Sequence, residues 1–400
     1  MQIVLDSPAD RLLVNRVELI SGMVTGVRGA GTLEARCGDR EVLLRPCVHP
    51  RALARTDVQG FYGFLLVQEH LDAIADGCLA IDVAWDGTTL PPVVLRVSPV
   101  ARHLAHRYPL DLARYSVPAA TRRSPPARLV FPGLGGVGGA SLNQLMRRTM
   151  AREGRAITVY SEADDGPTWS RVLAAGAPEY GWVDGHACYG AADALGPGSA
   201  RVTLLREPVR RLVSVFHYNA LVHPRQFPFA TLEEFVESEA ARGFTQVAGL
   251  ARCAGHAIDG LPDADVGAIA ERELAQSYAV VGTTERFEET IFLLCVLAGL
   301  DAIGMWWRIL AAPKAVDVEQ LPARLRARIE QVVEHDLRLY DRVETALCDR
   351  VASCGFGDAL VRYKEAAARE PVLSDHDKFV ECLRWRQVLA EAELAACRPR

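Results

Sequence analysis

Short apolar runs separated by glycines and polar residues dominate the first 118 residues. Within them β-branched residues recur at the period-2 spacing of strands with one buried face. Helical patterns are confined to two short segments, around residues 50–57 and near 103–115. The pattern therefore predicts a small antiparallel β-sandwich over residues 1–118, acting as a packing or accessory domain. The strand runs lie at residues 17–29, 31–38, 40–48, 79–87 and 91–99.

The pattern changes after a linker at residues 117–126 that is rich in proline and arginine. Three apolar strand runs, at 128–133, 156–162 and 200–208, now alternate with helical segments, which is typical of parallel βαβ units. From Thr231 onward the pattern is mostly helical. We therefore expect an α/β domain over residues 127–355, with a short parallel sheet and a helical cap. A peripheral helical tail is expected over residues 356–400.

Composition narrows the function classes. Of the 400 residues half are apolar, and the net charge of −5 gives no general attraction to nucleic acid or anionic membranes. Asp6 and Asp10 stand where a signal peptide needs a basic start, and the most apolar windows span only about ten residues. The ten cysteines have no metal-binding spacing. We expect a cytoplasmic protein with reduced thiols and no metal, nucleic-acid partner or membrane insertion.

A glycine-rich turn follows the apolar strand at residues 128–133. Five of the seven residues from Gly133 to Gly139 are glycine, and a helix is predicted to start near Ser141. Glycines allow positive φ, and they let backbone N–H groups approach an anion at the positive end of a helix. The turn therefore predicts a phosphate-binding or sulfate-binding loop.

One interpretation of this loop is a dinucleotide site. Gly133, Gly135 and Gly138 match G-x-G-x-x-G, and Glu162 ends the next predicted strand, where an acidic residue would contact a ribose hydroxyl. The difficulty is that only three or four strands are predicted before the chain becomes helical. An NAD(P)-dependent oxidoreductase therefore stands as an alternative.

A second anion-binding pattern lies at residues 201–218. Arg206 comes at the end of a predicted strand and Ser214 lies on the helix that follows, so together they could hold a phosphate group. Arg210 and Arg211 belong to the same stretch. Arg211 is interpreted as a solvated surface residue.

Five segments between residues 127 and 350 resemble, in order, the motifs of sulfotransferases that use 3′-phosphoadenosine 5′-phosphosulfate (PAPS), particularly the carbohydrate-type branch. They are the glycine loop with Ser141 and Leu142 (family pattern P-K-T-G-G-T-S-L), DGHACYG at 184–190 (G-H-x-x-[YF]-G), LLREPVRRLVSVFHY at 204–218 (L-R-D-P-V-x-R-x-x-S), VVGTTERFEETIFLL at 280–294 (V-G-x-x-E-x-[FY]-E-x-S) and HDLRLYDRVETAL at 335–347 (D-x-x-L-Y-x-x-A/V). This resemblance implies a P-loop-like parallel sheet with a helical cap.

The resemblance also implies an activity, the transfer of a sulfuryl group from PAPS to a hydroxyl of a glycan or similar metabolite. It implies that Arg206 and Ser214 hold the 3′-phosphate, that His186 is the general base, and that Lys314 lies in a loop covering the nucleotide. The 5′-phosphosulfate would be held by backbone N–H groups and the Ser141 hydroxyl, in the segment Gly136, Val137, Gly138, Gly139, Ala140 and Ser141.

The chain departs from the family pattern at one functional position. Where the family has its loop lysine this sequence has Gly136, and Val137 replaces the following threonine. Arg147, Arg148 or Arg210 could supply the missing charge. Transfer could also be slow, or the chain could be a non-catalytic binding protein. The sequence leaves these alternatives open.

Overall fold

The chain folds into two compact units. One comprises Met1–Leu112, Met146–Trp182 and Glu370–Arg400, and the other comprises Ala113–Leu145 and Val183–Arg369. The computed structural model describes residues 1–7, 11–13, 16–27, 31–47, 57–118, 128–153, 156–157, 180–185, 198–222, 225–306, 317–369, 374 and 377.

The first unit contains two β-sheets. One has the order β1–β3–β7–β6 and the other the order β2–β9–β8–β4–β5. All described strand pairs in them are antiparallel except β2 with β9. The strands are β1 (Gln2–Ser7), β2 (Leu12–Leu13), β3 (Val17–Thr25), β4 (Leu33–Cys37), β5 (Arg40–Glu41), β6 (Leu44–Cys47), β7 (Val58–Leu66), β8 (Cys78–Trp85) and β9 (Thr88–Val97).

Period-2 alternation builds the core of this unit. Along β8 every second residue is buried, so that Leu79, Ile81 and Val83 pack in one hydrophobic cluster. Ile20 of β3 and Phe61 of β7 belong to the same cluster. The predicted β-rich character of this region is confirmed, while the more specific β-sandwich assignment stays a prediction.

Helix α1 (Pro99–Arg107) begins earlier than predicted. The Ser98 side chain accepts a hydrogen bond from the Ala101 N–H, and Pro99 occupies the first helical position. The predicted helix near 103–115 is therefore wrong in its limits, because Arg114–Ser116 form strand β10. A short 3₁₀ helix at Val67–Ala73 was not predicted. Most of the helix expected at 50–57 lies outside the described residues.

A five-stranded sheet has the order β12–β13–β11–β14–β15. The pairs β12/β13, β11/β14 and β14/β15 are parallel. Consecutive residues are buried from Leu129 to Pro132 in β11 and from Val202 to Leu205 in β14, as expected for parallel strands covered on both faces. Four of these strands precede the mostly helical region, as expected, and the fifth, at Tyr278–Thr283, lies within that region and was not predicted. The strands are β11 (Arg128–Pro132), β12 (Ala156–Ile157), β13 (Tyr180–Gly185), β14 (Ser199–Leu205) and β15 (Tyr278–Thr283).

The strand order differs from that of a dinucleotide-binding fold. Counted along the chain, it is 2-3-1-4-5, whereas the dinucleotide fold has 3-2-1-4-5-6. The first strand, β11, therefore lies between β13 and β14, and the order reverses at β11. In open α/β sheets ligands bind at such a reversal, outside the carboxyl ends of the strands.

Most of the second unit is helical, as predicted. Helix α11 (Gly357–Arg369) packs against this unit, since Tyr363 is fully buried and contacts the rings of Tyr115 and Phe292. The start of the predicted tail is therefore helical, and it packs against this unit through Leu360 and Tyr363. No helix in the part of the chain that the structure describes is long and apolar enough to cross a membrane. The remaining elements are α2 (Gly139–Arg152), α3 (Pro208–Val222), α4 (Leu232–Glu237), α5 (Ala240–Gly243), α6 (Gln246–Cys253), α7 (Asp263–Ser277), α8 (Phe287–Ala298), β16 (Ala302–Gly304), a 3₁₀ helix (Val318–Gln320), α9 (Ala323–Val332), α10 (Glu334–Cys354) and α11 (Gly357–Arg369).

Candidate anion-binding site

The glycine loop joins β11 to α2 at the carboxyl edge of the parallel sheet. The ends of β14 and β15 lie side by side at this edge, since Leu205 pairs with Thr283. Gly136 and Gly138 have φ values of +79° and +83°, a left-handed conformation that side-chain-bearing residues rarely adopt. The sequence prediction of a strand, a glycine loop and a helix start is confirmed.

Three consecutive loop carbonyl groups are bound from behind by side chains. Because the C=O and N–H of a trans peptide point in opposite directions, the N–H groups of residues 136–138 point away from those side chains. Among the described residues these three N–H groups have no acceptor. The three bonds are Arg211 Nε to Gly135 O at 3.0 Å, Arg206 Nη1 to Gly136 O at 3.0 Å and Thr284 Oγ1 to Val137 O at 2.6 Å.

Arg206 immediately follows β14, as predicted, and is held there by Gln246. The Arg206 N–H donates to Gln246 Oε1 at 2.9 Å, and Gln246 Nε2 donates to the Arg206 carbonyl oxygen at 2.8 Å. Gln246 is fully buried, whereas Arg206 is half-buried. The Arg206 backbone is therefore fixed by Gln246, and its partly accessible guanidinium lies at the loop.

Arg211 is buried, so its interpretation as a solvated residue is wrong. Its side chain is 5% exposed and donates to the carbonyl oxygens of Gly135 and Phe244. Burial lowers the pKa of Arg211 to about 10, against the opposite effect of the Asp336 carboxylate. It remains a cation at neutral pH. By contrast Arg210 is exposed and forms an ion pair with Glu319 at 2.7 Å.

Asp336 is the buried carboxylate behind the site. It lies on α10, is 2% exposed, and accepts hydrogen bonds from the N–H groups of Gln246 at 2.7 Å and Val247 at 2.8 Å. Burial raises the pKa of Asp336, while these hydrogen bonds and Arg211 lower it. Asp336 therefore caps α6 and places Gln246.

The start of α3 is fixed by carboxylates. The Glu207 side chain accepts hydrogen bonds from the N–H groups of Val209 and Arg210, and its own N–H lies 3.2 Å from both Glu285 oxygens. The Tyr340 hydroxyl lies 2.9 Å from Glu285 Oε2. These contacts hold the helix that carries Ser214.

The structure describes most of the other predicted site residues, but not all of them. Val137 and Ser141 are buried, Gly139 and Ala140 are half-buried in the first turn of α2, and Ser214 is half-buried on α3. Arg147 and Arg148 fall in the first unit. His186, Lys314 and Glu162 lie outside the described residues. The structure thus brings the glycine loop, Arg206 and α3 to one edge of the sheet.

The left-handed conformation of Gly136 leads to a stability prediction. An alanine there would meet Val215 Cγ2 at 3.0 Å and would be strained at φ +79°, so Gly136→Ala should cost about 1–2 kcal/mol in urea unfolding. Gly135→Ala is the control, because its Cβ would meet nothing within 4 Å and its φ is not left-handed. Equal costs for the two variants would contradict the described loop conformation.

Comparison with protein-family models finds no family that matches this chain. A search of curated proteins likewise finds no match. The function is therefore argued from the geometry of the site and from the sequence motifs.

Proposed function

We propose that this chain is a sulfotransferase that binds PAPS at the glycine loop and transfers its sulfuryl group to a hydroxyl of a glycan or similar metabolite. The observation that carries the proposal is the row of N–H groups at residues 136–138, turned away from their anchoring side chains at the start of α2. Successive N–H groups at a helix N-terminus form a binding site for phosphate or sulfate oxygens. The motif resemblance selects the phosphosulfate among such anions.

The reaction that we propose is an in-line displacement at sulfur. The acceptor hydroxyl oxygen forms a bond to sulfur as the bond from sulfur to the bridging oxygen breaks, and that electron pair stays on the 5′-phosphate. His186 takes the hydroxyl proton, as the resemblance implies. The products are a sulfate ester and adenosine 3′,5′-bisphosphate.

In this proposal the family's loop lysine has no counterpart at position 136. A lysine at position 136 would be strained at φ +79° and crowded by Val215. Arg206 donates from Nη1 to the Gly136 carbonyl oxygen at 3.0 Å, on the side of the loop away from the N–H groups, and Arg210 is paired with Glu319. A loop cation would neutralise the charge that develops on the leaving oxygen, and losing such a preorganised donor is expected to slow transfer by about 10²–10³.

The 3′-phosphate assignment of Arg206 gives a binding prediction. Arg206→Ala should weaken adenosine 3′,5′-bisphosphate by about 1.5–3 kcal/mol in isothermal titration, the range for a hydrogen bond to a charged group. Adenosine 5′-phosphosulfate should lose much less affinity, because it lacks the 3′-phosphate that Arg206 binds in this assignment.

Arg252→Ala is the matched control, because Arg252 also donates to a glycine carbonyl oxygen, that of Gly243, at 2.7 Å. It should leave both affinities unchanged. Equal losses of both ligands in Arg206→Ala would refute the 3′-phosphate assignment.

Titration of the unmodified protein separates the proposed function from its alternatives. We expect adenosine 3′,5′-bisphosphate to bind and NADH not to bind, in keeping with a strand order unlike that of a dinucleotide fold. The opposite result would favour an oxidoreductase. Nucleotide binding without sulfuryl transfer to any hydroxyl acceptor would indicate a non-catalytic binding protein.

A further inference from the structure

Gln246 completes the end of β14 with its side chain. The ladder between β14 and β15 ends where Leu205 pairs with Thr283, with one further bond from the Thr284 N–H to the Leu205 carbonyl oxygen at 2.8 Å. Beyond it, the Gln246 amide binds both the N–H and the C=O of Arg206. One amide thus supplies the donor and the acceptor that a neighbouring strand would offer.

This contact bears on where the Arg206 guanidinium lies. Arginine has a long, flexible side chain, and each free backbone dihedral at its base would spread the guanidinium over a larger volume. Gln246 fixes that base, and it is itself fixed because it is fully buried and its N–H donates to Asp336. The guanidinium reaches Gly136 O from a base that is held on both sides.

We propose that Gln246 is a positioning residue for phosphate recognition, acting through Arg206. Loss of the Gln246 side chain should therefore weaken binding only of ligands that carry the phosphate group bound by Arg206. The assignment of that group as the nucleotide 3′-phosphate rests on the proposed function.

The chain contains a matched control for this contact. In the first unit Gln68 binds Leu110 in the same way, with the Leu110 N–H donating to Oε1 at 2.6 Å and Nε2 donating to the Leu110 carbonyl oxygen at 3.0 Å. Loss of either amide removes two hydrogen bonds from the protein. Only loss of Gln246 should alter ligand binding.

The first experiment titrates adenosine 3′,5′-bisphosphate and adenosine 5′-phosphosulfate into the full chain. Gln246→Ala should weaken binding of the bisphosphate about 10–100-fold, by analogy with residues that orient metal ligands, and binding of the phosphosulfate by less than about twofold. Gln246→Glu, which keeps the acceptor for the Arg206 N–H, should recover part of the affinity. Gln68→Ala should change neither affinity.

A double variant tests whether Gln246 acts through Arg206. If it does, Arg206→Ala with Gln246→Ala should bind the bisphosphate no more weakly than Arg206→Ala alone. Additive losses, or equal losses of both ligands in Gln246→Ala, would overturn the proposal.

A ligand-free measurement separates this inference from the proposed function. Crystal structures of the unmodified protein and of Gln246→Ala should show the Arg206 guanidinium on Gly136 O in the first and displaced in the second. If the unmodified protein binds no bisphosphate, the proposed function fails. The two crystal structures would still decide whether Gln246 positions the Arg206 guanidinium. An unmoved guanidinium in Gln246→Ala would refute the positioning role.

Discussion

Replacing Asp336 by alanine is expected to lower the free energy of unfolding of the second unit by about 3–5 kcal/mol, the range for breaking a buried charged network. The N–H groups of Gln246 and Val247 would lose their acceptor inside the protein, and Arg211 would lose a nearby opposite charge. Urea unfolding of the full chain, followed by a signal from the second unit, measures the loss.

Thr231→Ala is the control for Asp336→Ala. Thr231 also caps a helix, α4, through a capping box with Glu234, but both residues are exposed. An exposed cap is worth about 1 kcal/mol. If Asp336→Ala costs no more than Thr231→Ala, the buried network does not hold this unit together in the way described.

Replacing His186 by alanine is expected to lower sulfuryl transfer about 10²–10⁴-fold, as loss of a general base does. Affinity for adenosine 3′,5′-bisphosphate should stay nearly unchanged, because the base acts on the acceptor hydroxyl. The measurement is the transfer rate at saturating PAPS over a range of pH. Near-normal turnover in a folded variant would refute the assignment.

His217→Ala provides the comparison for His186→Ala. His217 lies on α3 three residues after Ser214, and burial lowers its pKa, so it is neutral at physiological pH. Its Nε2 has no hydrogen-bond partner among the described residues. Equal or greater loss of turnover in His217→Ala would move the role of base to α3.

Some elements could be predicted from local pattern and others could not. Strand β15 was missed because it follows α7 directly, without a glycine or proline between them, and a short buried strand looks like a buried helix segment. The start of α1 could have been predicted from the sequence, since Ser98 and Pro99 form a standard helix start. The glycine loop and Arg206 were found because each lies within a few residues of its strand end.

Gln246 and Asp336 could not be predicted as part of the site, because they are far in sequence from Arg206. Gln246 lies 40 residues from Arg206 and 90 from Asp336, and no local pattern joins them. Arg211 is different, because a signal was present. It is four residues before Val215, on the apolar face of α3, so its burial was indicated by helical periodicity.

Among the described residues, the side chains that bind the carbonyl oxygens of Gly135, Gly136 and Val137 all come from segments that follow the loop in the chain. Its partners lie 70 residues away at Arg206, 76 at Arg211 and 147 at Thr284. During synthesis the loop therefore leaves the ribosome long before β15 exists, and contacts of such high sequence separation form late. If the loop binds an anion as proposed, its binding conformation is complete only after β15 has docked, so the ligand would stabilise the finished fold and would not direct its formation.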